Sequence, residues 1–416
     1  MVALRATINV PADGKAARPM PVAEARQVML AAINPLESEQ ISLSDGLGRV
    51  LAAPIMASRD QPPYATSAMD GYALRSADTP GRLRITGESA AGRAHEGRCE
   101  QGCAIRISTG AAIPQGADSV VIQEDVSREG DWIEVPASPL GDNIRPRAGD
   151  FSSGALLLPA GRKLDGIAIS MVAASGAASF AAVRKPRIAI FSSGDELAEP
   201  GTTPGLYQIF DSTTYGLASL IAAWGGTATR LNIEKDNVDA IARAAEAGLR
   251  DHDLLVVLGG ASVGDHDLAR PALKKLGLEF LCEKIAVRPG KPTWFGTTPL
   301  APVLGLPGNP ASALVCAHLF LKSLMEKMLG RDPQECVRSR RAHLAHALPA
   351  NGNREHYLRA HFDIDGQGCA VVRAFEDQDS SLMSVFTRAN ALIRLTASAP
   401  ARSKGELVDV LLLEQS

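Results

Sequence analysis

Between Lys185 and about residue 330, short apolar stretches alternate with segments of helical periodicity, and this alternation limits the fold more than any other feature. RIAIF, TATRLNI, LLVVL and PVLGL read as strands. TTYGLASLIAAW, VDAIARAAEAGL, LARPALKKLG and ALVCAHLFLKSLMEKML read as the helices between and after them. Strands that are apolar on both sides need cover on both faces, and helices crossing over a parallel sheet supply it. The expectation is a three-layer α/β domain with a mostly parallel, Rossmann-like sheet.

The flanks look different. The first 20 residues are polar and Pro-punctuated and read as a loose tail. VAEARQVMLAAI (22–33) has the spacing of a short amphipathic helix. From about Arg82 to Val135, alternating stretches such as CAIRIST and ADSVVIQED are broken by Gly, Pro and Asp, the texture of a small β-rich module. The longest uncharged run, IAISMVAASGAASFAAV (167–183), is short of a membrane span and reads as a buried helix leading into a strand. From about Arg331 the segments HYLRAHFDI, CAVVRAF, ALIRLTA and ELVDVLLLE read as a separate β domain.

Composition narrows the class. With 43 basic and 46 acidic side chains the chain carries −3, too little positive charge to coat nucleic acid. Six scattered cysteines make no disulfide framework, and no apolar leader stands at the start. A soluble, cytoplasmic protein is expected.

Ligands of open α/β sheets bind beyond the carboxyl ends of the strands. Three loops there are rich in small residues: SSGDE with Ser193 and Gly194, GGASVGDHD with Gly259, Gly260 and Ser262, and PGNPAS with Pro307, Gly308, Asn309 and Pro310. Each is read as leading to a helix start whose free N–H groups attract anions. Asp195, Glu196, Asp236, Asp265 and Asp267 crowd the same edge. Carboxylates beside a phosphate site imply a cation between them, and Mg²⁺ fits; the alternative is that they cap helices. Lys284, Arg288 and Lys291 in EKIAVRPGKPTWF form an oxyanion clamp or a solvated face. Cys99 and Cys103 have ligand-like spacing but lack a second pair, Cys316 and His318 read as core, and His343 and His346 fall in a linker.

PPYATSAMDGYA, RISTGAAIPQGADSVVIQED, GDNIRPRAGD, SSGDEL, GGASVGDHDL, RPGKP and GLPGNPASA occur in that order. From about residue 20 onward the chain closely resembles the molybdopterin molybdenumtransferases: bacterial MoeA and the E domain of gephyrin and plant Cnx proteins. The resemblance implies an elongated homodimer. It implies a linking domain over 18–60 and 144–184, an inserted β-rich domain over 61–143, an α/β molybdopterin-binding domain over 185–330 and a barrel-like domain over 331–416. The implied reaction inserts molybdate into adenylylated molybdopterin, with Mg²⁺-dependent release of AMP. A molybdopterin adenylyltransferase and acceptor molybdoenzymes become possible partners.

By motif position, Asp70, Thr109, Arg145, Asp150, Glu196, Asp236, Asp267, Lys284, Arg288, Pro307 and Pro310 fall on functional positions of that family. Asp70, Asp150, Glu196 and Asp267 take catalytic roles; Glu196, Asp236 and Asp267 hold Mg²⁺; Lys284, Arg288 and Lys291 hold molybdate or a pterin phosphate. The chain departs from the family pattern at Thr66 and Thr213, where Asn is usual, at Gly149, where Glu is usual, and at Arg288, where Lys is common. Those departures keep open a catalytically weak relative that carries molybdopterin or its molybdenum cofactor; a molybdopterin adenylyltransferase is a further alternative.

Overall fold

The computed structural model describes residues 18–234, 237–259 and 268–413. The chain divides into two compact units, residues 40–182 and residues 1–39 with 183–416.

In the larger unit the apolar runs become a sheet. Among the described residues its order is Thr227–Arg230, Arg187–Ser192, Leu254–Leu258, Pro302–Leu306, Trp294–Thr297 and Glu279–Cys282. The first four strands are parallel; Trp294–Thr297 runs antiparallel to both its neighbours, so Glu279–Cys282 again runs in the direction of the first four. Strand alternation divides the core into two layers. Ile188, Ile190, Val256, Leu304 and Leu306 pack in one layer with residues of helices Val22–Ala31 and Thr213–Ala223 and of the helical run 310–328. Ala189, Phe191, Leu255, Val257 and Val303 pack in the other with helices Val238–Asp251 and Ala269–Lys275. Each buried Val, Leu, Ile or Phe among them contributes about 1.5–3 kcal/mol. Residues 317–321 form a π turn in the long helical run, where Cys316 and His318 are core residues; His318 meets the Trp224 ring edge-on.

Five later strands close on themselves. Glu355–Ile364 pairs with Ala370–Ala374 and Ala391–Leu395, while Arg340–Leu344 and Leu407–Leu412 complete the ring. Leu344, Leu358, Val372, Ile393 and Val410 fill the barrel. His343 therefore lies in a barrel strand rather than a linker, its Nδ1 2.8 Å from the Gly405 carbonyl.

Residues 40–182 hold a mixed sheet ordered Ser119–Ile122, Gly71–Leu74, Cys103–Ile107, Gly81–Ser89, Trp132–Val135 and Ser127–Glu129. Gly71 is required there: a Cβ would run into the Val121 carbonyl. The uncharged run forms helix Gly166–Ala174, capped by Asp165, and strand Ser179–Val183. The helix is not buried as expected: Ala168 and Val172 face the core, but Ile167 is 84% exposed. The six cysteines are unpaired, and burial pushes the Cys99 thiol up to about 11. No helix among the described residues is long and apolar enough to cross a membrane.

Candidate functional site

The carboxyl ends of three parallel strands open into a cleft of about 750 Å³. Ser192 ends and Ser193 follows strand Arg187–Ser192, Gly259 follows Leu254–Leu258, and Pro307, Gly308, Asn309 and Pro310 follow Pro302–Leu306. Gly259 has φ +77°, and a Cβ on Gly308 would stand 3.6 Å from the Gly259 Cα, so the two loops meet backbone to backbone.

Lys284 and Lys291 line the cleft with Glu196. Among the described residues, neither ammonium group has a carboxylate partner and nothing pairs with the Glu196 carboxylate. That carboxylate folds over Gly194, where any Cβ would collide with it. Two positive charges and one negative charge thus face one solvent-filled space, an arrangement suited to a phosphate or oxyanion and a hard cation.

The backbone plays a smaller part than the sequence implies. No helix follows SSGDE; residues 197–212 form a strap containing the paired strands Leu197–Ala198 and Ile209–Phe210, and the next helix begins at Thr213. The start of that helix is filled by Asp211, which is buried and accepts hydrogen bonds from the Thr214 N–H (3.2 Å), the Thr214 hydroxyl (2.7 Å) and Ser192 Oγ (3.0 Å). At Pro310, the first residue of its helix, the Ala311 N–H donates to the Ser380 carbonyl at 3.1 Å, and Asn309 Nδ2 to Ser380 Oγ at 2.8 Å. Asp195 caps no helix either; it lines a separate shallow cavity with Glu199 and Arg230.

Arg288 leaves the expected clamp. It lies on strand Val287–Arg288, beside His356 in the parallel register, and lines a second cavity of about 600 Å³ with His346, His356, Asn351 and Gln378. The Pro-Gly turn sends Lys291 to the cleft and Arg288 to this cavity. His356 is 8% exposed; burial, then the Arg288, Arg354 and Arg359 guanidinium groups, lower its pKa to about 4. The unfolded chain takes up this proton near pH 6.5 and the folded chain refuses it until about pH 4. Stability therefore falls as pH drops through that window, by about 2 kcal/mol between pH 7 and 5. Urea unfolding at the two pH values checks this, and His356→Gln should flatten the difference.

A second constellation forms within residues 40–182. Strand Thr66–Ser67 pairs with Ile144–Arg145, joining segments almost 80 residues apart. Thr66, Gly110, Arg145, Gly149 and Asp150 then line a cavity of about 750 Å³, along with Arg59, Gln61 and Tyr64. Asp70 stands beside this group as an anchor: its Oδ1 accepts from the Thr109 N–H at 2.6 Å and the Thr109 hydroxyl at 3.0 Å. The backbone bond first and the hydroxyl second hold the Asp70 carboxyl below its usual range.

Asp236, Gly260, Ser262, Asp265 and Asp267 lie outside the described residues. Among those described, no three His, Cys, Asp or Glu side chains gather as metal ligands. The cleft also contains Phe210, Ile209 and Ser381, which the sequence reading did not single out. Only IFDS carried a signal, two apolar residues in a segment without periodicity; Ser381 comes from the barrel domain and had none.

Comparison with known proteins identifies the family. Residues 20–176 match the MoeA N-terminal region (domain I and II), 189–327 a probable molybdopterin binding domain, and 341–413 the MoeA C-terminal region (domain IV). A molybdopterin molybdenumtransferase of Nostoc sp. is 33% identical over 416 aligned residues, covering 95% of this chain and 94% of the relative. The chain belongs to the MoeA family. A second molybdopterin molybdenumtransferase, from Haemophilus influenzae, is 32% identical over 394 residues, covering 93% and 97% of the two chains. The crystal structure of a molybdopterin biosynthesis MoeA protein from Pyrococcus horikosii superposes with a TM-score of 0.84 at 28% identity, covering 96% of this chain and 100% of that one. The α/β domain, the β-rich N-terminal part and the closed C-terminal barrel agree with the expected fold class.

Proposed function

We propose that this MoeA-family protein is a molybdopterin molybdenumtransferase of molybdenum cofactor biosynthesis. It takes adenylylated molybdopterin and molybdate, releases AMP and yields the molybdenum cofactor. The observation that carries this reading is the pair Lys284 and Lys291, without carboxylate partners among the described residues, lining one cleft with Glu196. The two ammonium groups hold the phosphate or molybdate oxygens as point charges. Glu196 offers a hard oxygen ligand to Mg²⁺, and its fold over Gly194 leaves space that a larger residue would fill. Asp236 and Asp267 complete the proposed ligand set. Held by Glu196, Asp236 and Asp267, Mg²⁺ would supply positive charge against the phosphoanhydride oxygens.

The cavity containing Thr66, Arg145 and Asp150 is proposed as the second half of the site. Contributed by one copy of a homodimer to the cleft of the other, it brings Arg145 and Asp150 to the substrate. Asp70 acts there through Thr109, which it positions. The reaction belongs in the cytoplasm, where acceptor molybdoenzymes and a molybdopterin adenylyltransferase are its partners.

The test is AMP release from molybdopterin-adenylate by the purified protein with Mg²⁺, with and without molybdate. The product is scored by activation of a cofactor-free molybdoenzyme. Molybdate-dependent release with activation is expected, and Asp267→Asn should abolish it while leaving the fold intact. A second reading has an observation of its own: Thr66 and Gly149 line one cavity and Thr213 the other. Tight adenylate binding without release would favour a carrier, and reverting Thr66 and Thr213 to Asn would then restore turnover.

A further inference from the structure

Ile209 and Phe210 are 61% and 46% exposed, yet the strap that carries them is firmly braced. The Ile209 N–H donates to the Glu196 carbonyl at 2.8 Å and the Asp211 N–H to the Ala198 carbonyl at 3.0 Å. Gln208 Nε2 donates to the Asp195 carbonyl at 3.0 Å, and its Oε1 accepts from the Gly205 N–H at 2.9 Å. Glu199 ties the strap to the sheet by accepting from the Tyr215 hydroxyl at 2.6 Å and from Arg230 Nη2 at 2.9 Å; the Arg230 guanidinium lies 3.4 Å from the Tyr215 ring centre. Backbone braced in this way holds the Ile209 and Phe210 Cα positions before a ligand arrives, which lowers the ordering cost of binding.

The cleft is two-sided in its chemistry. Leu197, Ile209 and Phe210 form an apolar wall, while Lys284 and Lys291 supply positive charge to the same space. A ligand complementary to both has a flat apolar body and an anionic group. An aromatic side chain accepts a flat ring by stacking, regardless of the ring's hydrogen-bonding pattern.

We propose that Phe210, with Ile209 beside it, is the platform on which a planar heteroaromatic ring of the phosphate-bearing substrate stacks. The inference rests on the transferase reading, whose substrate has two such rings, an adenine and a pterin. Neither residue belongs to the sequence motifs that led to that reading.

The experiment measures equilibrium binding of AMP, ribose 5-phosphate and a pterin monophosphate to the full chain, Phe210→Ala, Phe210→Tyr and Lys291→Ala. Phe210→Ala should weaken a ring-bearing ligand roughly 5- to 100-fold, leave ribose 5-phosphate unchanged and leave the thermal midpoint where it was. Phe210→Tyr should restore the affinity. A loss confined to AMP assigns the platform to adenine, and one confined to the pterin monophosphate assigns it to pterin. Unchanged binding of both ring-bearing ligands, equal weakening of ribose 5-phosphate, or no rescue by Phe210→Tyr overturns the platform. If Lys291→Ala still weakens all three ligands, the reading of the cleft survives that result. A parent protein that binds none of the three overturns both together.

Discussion

Lys291→Ala is expected to lower molybdate-dependent AMP release by roughly 100- to 1,000-fold, the scale on which losing one preorganised contact to developing charge acts. Lys291 is exposed, faces the cleft and has no carboxylate partner among the described residues, so its removal costs the fold little. Loss through the transition state would appear in kcat; loss of uniform substrate binding would appear in KM alone. Lys291→Arg keeps the charge and replaces a compact ammonium with a planar fork, and should recover only part of the rate. Parent-like turnover by Lys291→Ala would remove the cleft from the chemistry.

Arg359→Met should destabilise the larger unit by about 1.5–3 kcal/mol, because it removes three hydrogen bonds made by a buried charged group. Arg359 is 1% exposed and donates from Nη2 to the Asp379 carbonyl at 2.8 Å, from Nη1 to the Leu382 carbonyl at 3.1 Å and from Nε to Gln378 Oε1 at 3.3 Å. Burial lowers its pKa while Asp377 and Asp379 oppose the shift. Methionine fills similar space but leaves the Leu382 carbonyl without its donor; the Asp379 carbonyl and Gln378 Oε1 keep only the backbone N–H groups of Leu382 (3.3 Å) and residue 359 (2.9 Å). The pinned segment also presents Ser380 to Asn309 and Ser381 to the cleft, so binding should weaken alongside stability. The urea midpoint is the measurement; a shift below about 1 kcal/mol would mean the acceptors find other partners or water.

The two faces of the α/β sheet were legible because uninterrupted apolar runs such as LLVVL admit few other readings. The barrel strands were legible from their alternation. The division between Lys291 and Arg288 was not: four residues in a row look like one basic cluster. Only the pairing of Arg288 with His356 sends them to different cavities. The strap was illegible for another reason. Its strands Leu197–Ala198 and Ile209–Phe210 have two residues each, too short for any period to register. Thr66 and Arg145 illustrate a third limit, since a bridge between residues so distant in sequence is decided by tertiary pairing. The motif order carried the family, while the helix starts misled, because the groups that fill them, Asp211 and Ser380, come from a loop and from another domain.

The filled helix starts have an evolutionary consequence. An anion site built on backbone N–H groups, as in a glycine-rich phosphate loop, persists as long as the fold does. Among the described residues two such starts each have a donor already engaged, and on the proposed reading the anion is held by two ammonium groups at the ends of flexible side chains. Two codon changes could silence this site without disturbing a core residue. Descendants of such a chain would keep their shape, packing and overall resemblance after losing their chemistry. On the proposed reading, the joint presence of Lys284 and Lys291 should mark a working copy more sharply than overall identity.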